Sequence, residues 1–168
     1  MHGELVRTAL QWAAELHAGQ CRRDGSLVID HVLAVAEDVL GYCEADPEVV
    51  AAAVLHDVVE KTETTVPQIA GAFGPRVARL VEAVTVPPGM TPDQALAQAI
   101  EAGQEALLLR LCDRLDGVRR SPGRPPADRQ RFVETARRVH LPAAREHWPR
   151  LAEALARAIA DASAPPSG

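Results

Sequence analysis

No feature of this 168-residue chain limits its fold more than the run Ala51-Ala52-Ala53-Val54-Leu55-His56-Asp57-Val58-Val59-Glu60. Most of it is apolar, so it reads as a buried helix, yet an imidazole and two carboxylates interrupt it. Burying such groups is unfavourable unless something pairs with them. A metal ion is one partner that offsets the cost for adjacent His and Asp side chains. On a helix, Glu60 falls one turn beyond His56 on the same face. It then lies within reach of a water beside an ion held by His56 and Asp57. A simple hydrogen bond would also satisfy a lone His-Asp pair, so the reading turns on whether other segments bring further ligands.

The flanking chain supplies helices and breaks. Leu5, Ala9, Leu10, Trp12, Ala13 and Leu16 recur at helical spacing and predict a helix from Glu4 to His17, stopped by Gly19. After the polar loop Gln20 to Ser26, Asp30 is expected to cap a second helix over His31 to Tyr42. Asp46-Pro47 opens the central helix, which is expected to carry His56, Asp57 and Glu60. Thr65-Val66-Pro67 starts a short helix ending near Gly74, Pro75 starts another through Val84, and Thr91-Pro92-Asp93 caps one over Ala95 to Ala102. The segment Glu105 to Val118 is strongly apolar and contains a buried-looking Asp113. Ser121 to Pro126 reads as a mobile loop. Two helices, about Asp128 to Val139 and His147 to Asp161, close the chain, the last covering the core with Leu151, Leu155, Ala158 and Ile159. No internal repeat and no strand alternation appears. The expected fold is all-α, a single domain over residues 1–161 with 162–168 as a disordered tail.

Composition narrows the function. At 3% aromatics the chain lacks the stacking side chains of single-strand nucleic-acid binders, and its net charge of -5 offers no general attraction to nucleic acid or anionic membrane. The first residues do not read as a signal peptide, and no stretch reaches the length of a membrane span. Cys21, Cys43 and Cys112 are odd in number and without CxxC spacing, as expected of reduced thiols in a cytoplasmic protein.

Four metal-competent side chains stand on apolar helices: His31, His56, Asp57 and Asp113. Two imidazoles and two carboxylates suit Mn, Fe or Zn, and a set without cysteine argues against a structural zinc. Four protein ligands also leave positions for water and substrate. The plainer alternative makes His31 an ordinary residue of a helix start and pairs Asp113 with Arg114 or Arg119. Taken jointly, with Glu60 one turn on, the four residues favour a metal.

The same words, in order, carry a resemblance. His17-Ala18-Gly19-Gln20-Cys21-Arg22-Arg23-Asp24-Gly25 is followed by His31 with Val35-Ala36, then by Ala51 to Thr62, Phe73 to Ala78, and Leu80 to Thr85. Leu111-Cys112-Asp113-Arg114-Leu115-Asp116 and His140-Leu141-Pro142-Ala143-Ala144 complete the series. From about Leu5 to Arg145 the chain resembles the HD superfamily of metal-dependent phosphohydrolases, and within it the hydrolase domain of RelA/SpoT proteins and the small stand-alone alarmone hydrolases. The resemblance implies a helical bundle with one divalent metal, most simply Mn²⁺, with Fe²⁺ or Zn²⁺ as alternatives. Its ligands would fall on His31, His56, Asp57 and Asp113, and its water-activating acid on Glu60. Arg22 and Arg23 would contact base and phosphate. His17 would hold that loop. Arg114 belongs to the same substrate wall. His140 stands where an aromatic is usual, facing the substrate or packing.

Two departures touch the substrate wall. Lys61 follows Glu60 where the family has Asp, one turn from Asp57, so it is expected to pair with a ligand carboxylate or to serve catalysis at the substrate phosphate. Gly117 stands where the family has Asn, which removes a side-chain amide and is expected to open space. Leu27-Val28 replaces the usual Pro-Tyr, so a base-stacking ring is expected to be missing. The implied activity is metal-dependent release of phosphate or pyrophosphate from a small nucleotide-like substrate, as in guanosine tetraphosphate 3′-pyrophosphohydrolases. The alternatives are a phosphatase for a phosphomonoester of a specialised nucleotide or another metabolite, and a degenerate domain that binds nucleotide without turnover.

Overall fold

Local sequence sets the helix boundaries. The computed structural model describes residues 2–44 and 46–164. Helix α1 (His2–Leu16) ends before Gly19, whose φ of 71° suits a residue without a side chain. Helix α3 (Pro47–Leu55) starts at Asp46, whose carboxylate accepts the Glu48 and Val49 N–H groups. After the short α4 (Val58–Lys61), α5 (Val66–Phe73) opens with a Thr65–Gln68 capping box, and α6 (Pro75–Val84) starts on a proline. Helix α7 (Pro92–Ala102) repeats the capping box with Thr91 and Gln94, and α8 (Gln104–Arg119) follows after Gly103 alone.

The core is aliphatic. Every residue from Val49 to Leu55 on α3 is buried, as are Leu107, Leu108, Leu109, Leu111 and Leu115 on α8. Each such leucine contributes roughly 1.5–3 kcal/mol of burial, which offsets the cost of holding charges at the ends of these helices. Helix α2 (Val28–Tyr42) packs on both α3 and α8, and α6 does the same, so the two most buried helices are clamped between shared neighbours. The arrangement is an all-α bundle, with no strand among the described residues and one isolated bridge, Cys21 with Leu27. No helix of the described residues is long and apolar enough to cross a membrane, and all three cysteines are free.

Several expected boundaries are corrected. Helix α2 begins three residues before His31, and Asp30 sits inside its first turn instead of capping it. The Cys21–Leu27 bridge and the Val28 N–H to Gln20 carbonyl bond fix the earlier start. The central helix is interrupted at His56 and Asp57, although both keep right-handed helical φ and ψ. The Ser121 to Pro126 loop is not loose: Ser121–Gly123 forms a 3₁₀ turn with Ser121 buried. After α9 (Pro126–Thr135), a π-helical turn over Ala136–His140 leads into α10 (Leu141–His147), where no separate helix was expected. Helix α11 (Pro149–Ser163) runs two residues past 161 and buries Ala162, so the expected tail is shorter by those two. Residues 165–168 lie outside the described residues.

Candidate metal centre and phosphate cavity

Three segments distant in sequence meet at one point. His31 comes from the first turn of α2, His56 and Asp57 from the break between α3 and α4, and Asp113 from α8. The Nε2 atoms of His31 and His56 lie 3.3 Å apart. Asp113 Oδ1 is 3.1 Å from His31 Nε2 and 3.8 Å from His56 Nε2. Asp57 Oδ1 is 3.5 Å from His56 Nε2, and its Oδ2 is 3.9 Å from His31 Nε2. One ligand atom each from His31, His56 and Asp113 falls within a 4.8 Å group.

The remaining ring atoms show which way these imidazoles face. His56 Nδ1 lies 2.7 Å from the Ala53 carbonyl, so it is the N–H and Nε2 is the lone pair. His31 Nδ1 is 2.5 Å from Asp116 Oδ2, which fixes the same tautomer. Two lone pairs aimed at one another across 3.3 Å repel unless a cation or proton lies between them. Asp57 Oδ2 is buried with no hydrogen-bond partner among the described residues. Donor spacings of about 3–4 Å are those of ligands bonded at about 2.1 Å to one ion. These residues therefore fit a single divalent metal.

The carboxylates are poised as anions. Burial acts to raise the Asp113 pKa, but the His31 hydrogen bond and the charges of His56 and Arg110 hold it well below the usual carboxylate range. Asp57 is lowered too, with burial opposed by His56 and Lys61. For His31, burial pulls the imidazole pKa down, yet the hydrogen bonds to Asp113 and Asp116 lift it above its ordinary value. Around the set, Arg110 Nη1 is 3.2 Å from Asp113 Oδ2, while its Nη2 donates to the Val84 carbonyl. Arg120 Nε donates to Asp116 Oδ2 at 2.7 Å. Asp113 thus pairs with His31 and Arg110; the expected alternative partner Arg119 pairs with Asp38.

A cavity of about 400 Å³ opens on this centre. It is lined by the acids Asp57, Glu60 and Asp113 and by the cations Arg22, Arg23, Lys61, Arg110, Arg114 and Arg124, of which Lys61 and Arg110 stand against Asp57 and Asp113. Glu60 Oε2 accepts the Val86 N–H at 3.2 Å. Lys61 Nζ is 3.4 Å from Asp57 Oδ2. His17 is fully buried, with Nδ1 2.9 Å from Gln20 Oε1, and Gln20 in turn donates to the Lys61 carbonyl. Arg22 Nε lies 3.5 Å from Asp24, whereas Arg23 stands at the mouth with 79% of its side chain exposed.

Gly117 does not open space. A Cβ built there would lie 2.8 Å from Cζ of Phe132, so a ring from α9 already fills the notch. An aromatic side chain therefore lines the cavity, although none stands at the Leu27-Val28 position. His140 is not in the cavity wall. It is 1% exposed, 3.5 Å from the Thr135 carbonyl, with its pKa lowered to about 3 by burial and by Arg114. Sequence reasoning missed Asp116, Arg110, Arg124 and Phe132. The signal for Asp116 was present: it stands three residues after Asp113, on the same face of an apolar helix.

A family model described as HD domain matches residues 9–147. A guanosine-3′,5′-bis(diphosphate) 3′-pyrophosphohydrolase of Aquifex aeolicus is 39% identical over 125 residues, which are 70% of this chain and 18% of that protein. An enzyme of the same description from Danio rerio is 36% identical over 117 residues, 66% of this chain and 65% of its own. The chain thus spans less than two thirds of either relative. A solved structure of a metazoan ortholog of SpoT, which hydrolyses ppGpp, superimposes with a TM-score of 0.83 at 26% identity, covering 95% of this chain and 96% of that one.

Proposed function

This chain belongs to the HD-domain family, and on that footing we propose that it is a Mn²⁺-dependent phosphohydrolase that removes pyrophosphate from the 3′ position of a guanosine-tetraphosphate-like nucleotide. The observation that carries the proposal is the convergence of His31, His56, Asp57 and Asp113 at a cavity that six cationic side chains also line. These four residues would hold a divalent metal, which would supply Lewis-acid polarisation of a phosphate oxygen and a water of lowered pKa. Glu60, at the cavity wall, takes the proton of the attacking water. A bond forms from that water oxygen to phosphorus, the bond from phosphorus to the 3′ oxygen breaks, and the proton passes to the leaving alcohol. Arg22, Arg23 and Arg114 meet the phosphate charge, arginine offering two donors to each phosphate. A cytoplasmic setting matches the free thiols and the nucleotide substrate.

The test is pyrophosphate release from guanosine tetraphosphate with added Mn²⁺, beside His31→Ala and Asp113→Asn. The wild type is expected to turn over and both variants to lose at least about a hundredfold. A wild type that binds one equivalent of Mn²⁺ and releases nothing from any nucleotide would leave a binding domain and overturn the proposal.

One observation favours a second reading, hydrolysis of a terminal phosphomonoester. Lys61 places a cation beside Asp57 at the cavity wall. There it compensates one negative charge of a terminal phosphate. Lys61→Asp is expected to lower phosphate release from the best monoester substrate about tenfold or more; unchanged release removes this reading.

A further inference from the structure

The exit of α6 lacks its own hydrogen-bond donors. In a continuing helix the Ala83 and Val84 carbonyls would accept from residues 87 and 88, but both are proline and carry no N–H. Two side chains from other helices take their places. Gln98 of α7 donates its side-chain amide to the Ala83 carbonyl at 2.9 Å and to the Thr85 carbonyl at 3.1 Å, with the Glu82 carbonyl at 3.4 Å. Arg110 of α8 donates to the Val84 carbonyl. Thr85 between them is extended, with φ -72° and ψ 132°, and its N–H and hydroxyl both return to the Val81 carbonyl.

The turn held in this way reaches the cavity, which Val84 and Val86 both line. The Val86 N–H, which a continuing helix would direct at the Glu82 carbonyl, donates instead to Glu60 Oε2 at 3.2 Å. It is the one hydrogen bond of the Glu60 side chain among the described residues. Glu60 is exposed, and a long exposed carboxylate keeps its rotamer freedom unless a partner fixes it. Gln98 does not line this cavity; it faces a separate hollow with Arg79 and Glu101. Only by way of the turn can it bear on the chemistry.

We propose that Gln98 is a positioning residue: by pinning the α6 exit from outside the cavity, it aims the Val86 N–H and so holds the Glu60 carboxylate where the attacking water is deprotonated. The inference rests on the role given to Glu60 above. Pro87 and Pro88 then serve the site by leaving the Ala83 carbonyl free for Gln98.

The first experiment is amide hydrogen exchange, read by NMR on chelator-treated protein, which needs no turnover. Gln98→Met keeps the length of the side chain and removes the donor. It is expected to speed Val86 exchange about fivefold or more, the scale of one hydrogen bond. In a Glu60→Ala background, where the acceptor is already gone, the same substitution is expected to change Val86 exchange less than about twofold. With Mn²⁺ and guanosine tetraphosphate, Gln98→Met is expected to lower kcat about tenfold and to leave KM within about twofold. Gln98→Glu, which sets a carboxylate against the same carbonyls, is expected to act in the same direction and decides if Gln98→Met does not melt cooperatively. Unaltered Val86 exchange overturns the proposal. So does an equal rise in both backgrounds, which would be general loosening, or a higher KM with kcat unchanged. A wild type that releases nothing from any nucleotide, with Val86 responding as stated, removes the hydrolase reading and keeps the hold on Glu60; turnover with Val86 unmoved does the reverse.

Discussion

Asp116 reaches the metal position only through the ring of His31, so any effect it has on chemistry passes through that ring. It accepts from Nδ1 at 2.5 Å and is itself held by Arg120 at 2.7 Å. Removing such an outer partner of a ligating histidine commonly weakens metal affinity about 10–100-fold. Asp116→Asn is therefore expected to lose affinity in that range, read by competition with a chelating dye; unchanged affinity would deny it the role. His140 makes a different prediction. Burial first, then Arg114, lower its pKa to about 3, with Arg110 adding to the lowering and Asp113 and the Thr135 carbonyl opposing it. The unfolded chain takes up a proton near the ordinary value of about 6.5 that the folded chain refuses. This contribution is complete above that pH and is lost as pH falls toward 3, at about 1.4 kcal/mol per pH unit. His140→Leu should flatten the fall of urea midpoints between about pH 6 and pH 4; an unaltered slope would show that other groups set it. The convergence of His31, His56, Asp57 and Asp113 was legible in the sequence because they are polar where their helices are apolar. Arg110 and Phe132 were not, because what gives them meaning, the Val84 carbonyl and the bare Cα of Gly117, lies far away in the chain.

Helices α7 and α8 are joined by Gly103 alone, at φ 118° and ψ 179°, a conformation that costs a residue with a Cβ of order 1–3 kcal/mol. Since α8 carries both Asp113 and Asp116, the angle at this joint sets where the acids arrive. Gly103→Ala is expected to destabilise by that amount in urea unfolding, and a loss below about 0.5 kcal/mol would mean the joint relaxes freely. Elements were legible where capping is local: Asp46 before α3, Thr65 before α5 and Thr91 before α7 each announce their helix within three residues. The start of α2 was hidden because a bridge between Cys21 and Leu27, not Asp30, fixes it. Helix α10 was hidden because Pro142 reads as a breaker, yet it sits in the first turn, where its missing N–H costs nothing.

At the scale of the whole molecule, three helical segments place four donor groups together where a divalent cation would satisfy them at once. The pairs that bring them together, α2 with α3 and α2 with α8, are also the packing of the core. Metal binding and folding would therefore be coupled: the unfolded chain has no such site, and the folded chain without a metal keeps Asp57 Oδ2 buried with the Lys61 ammonium, 3.4 Å away, beside it and no hydrogen bond. A ligand that binds only the folded state at about a hundred times its dissociation constant stabilises it by about 2.7 kcal/mol. For a chain of this length each kcal/mol moves the melting temperature by about 2–4 °C. Saturating Mn²⁺ is thus expected to raise the melting temperature by about 5–11 °C over a chelator-treated sample. His31→Ala should abolish that rise while still melting cooperatively, because its loss removes a ligand and leaves the aliphatic core of α3 and α8 in place. A rise that survives in His31→Ala would place the ion elsewhere. No rise in the wild type, with metal shown to be bound, would mean that the unfolded chain holds it equally well and that the four donors are not a preformed site.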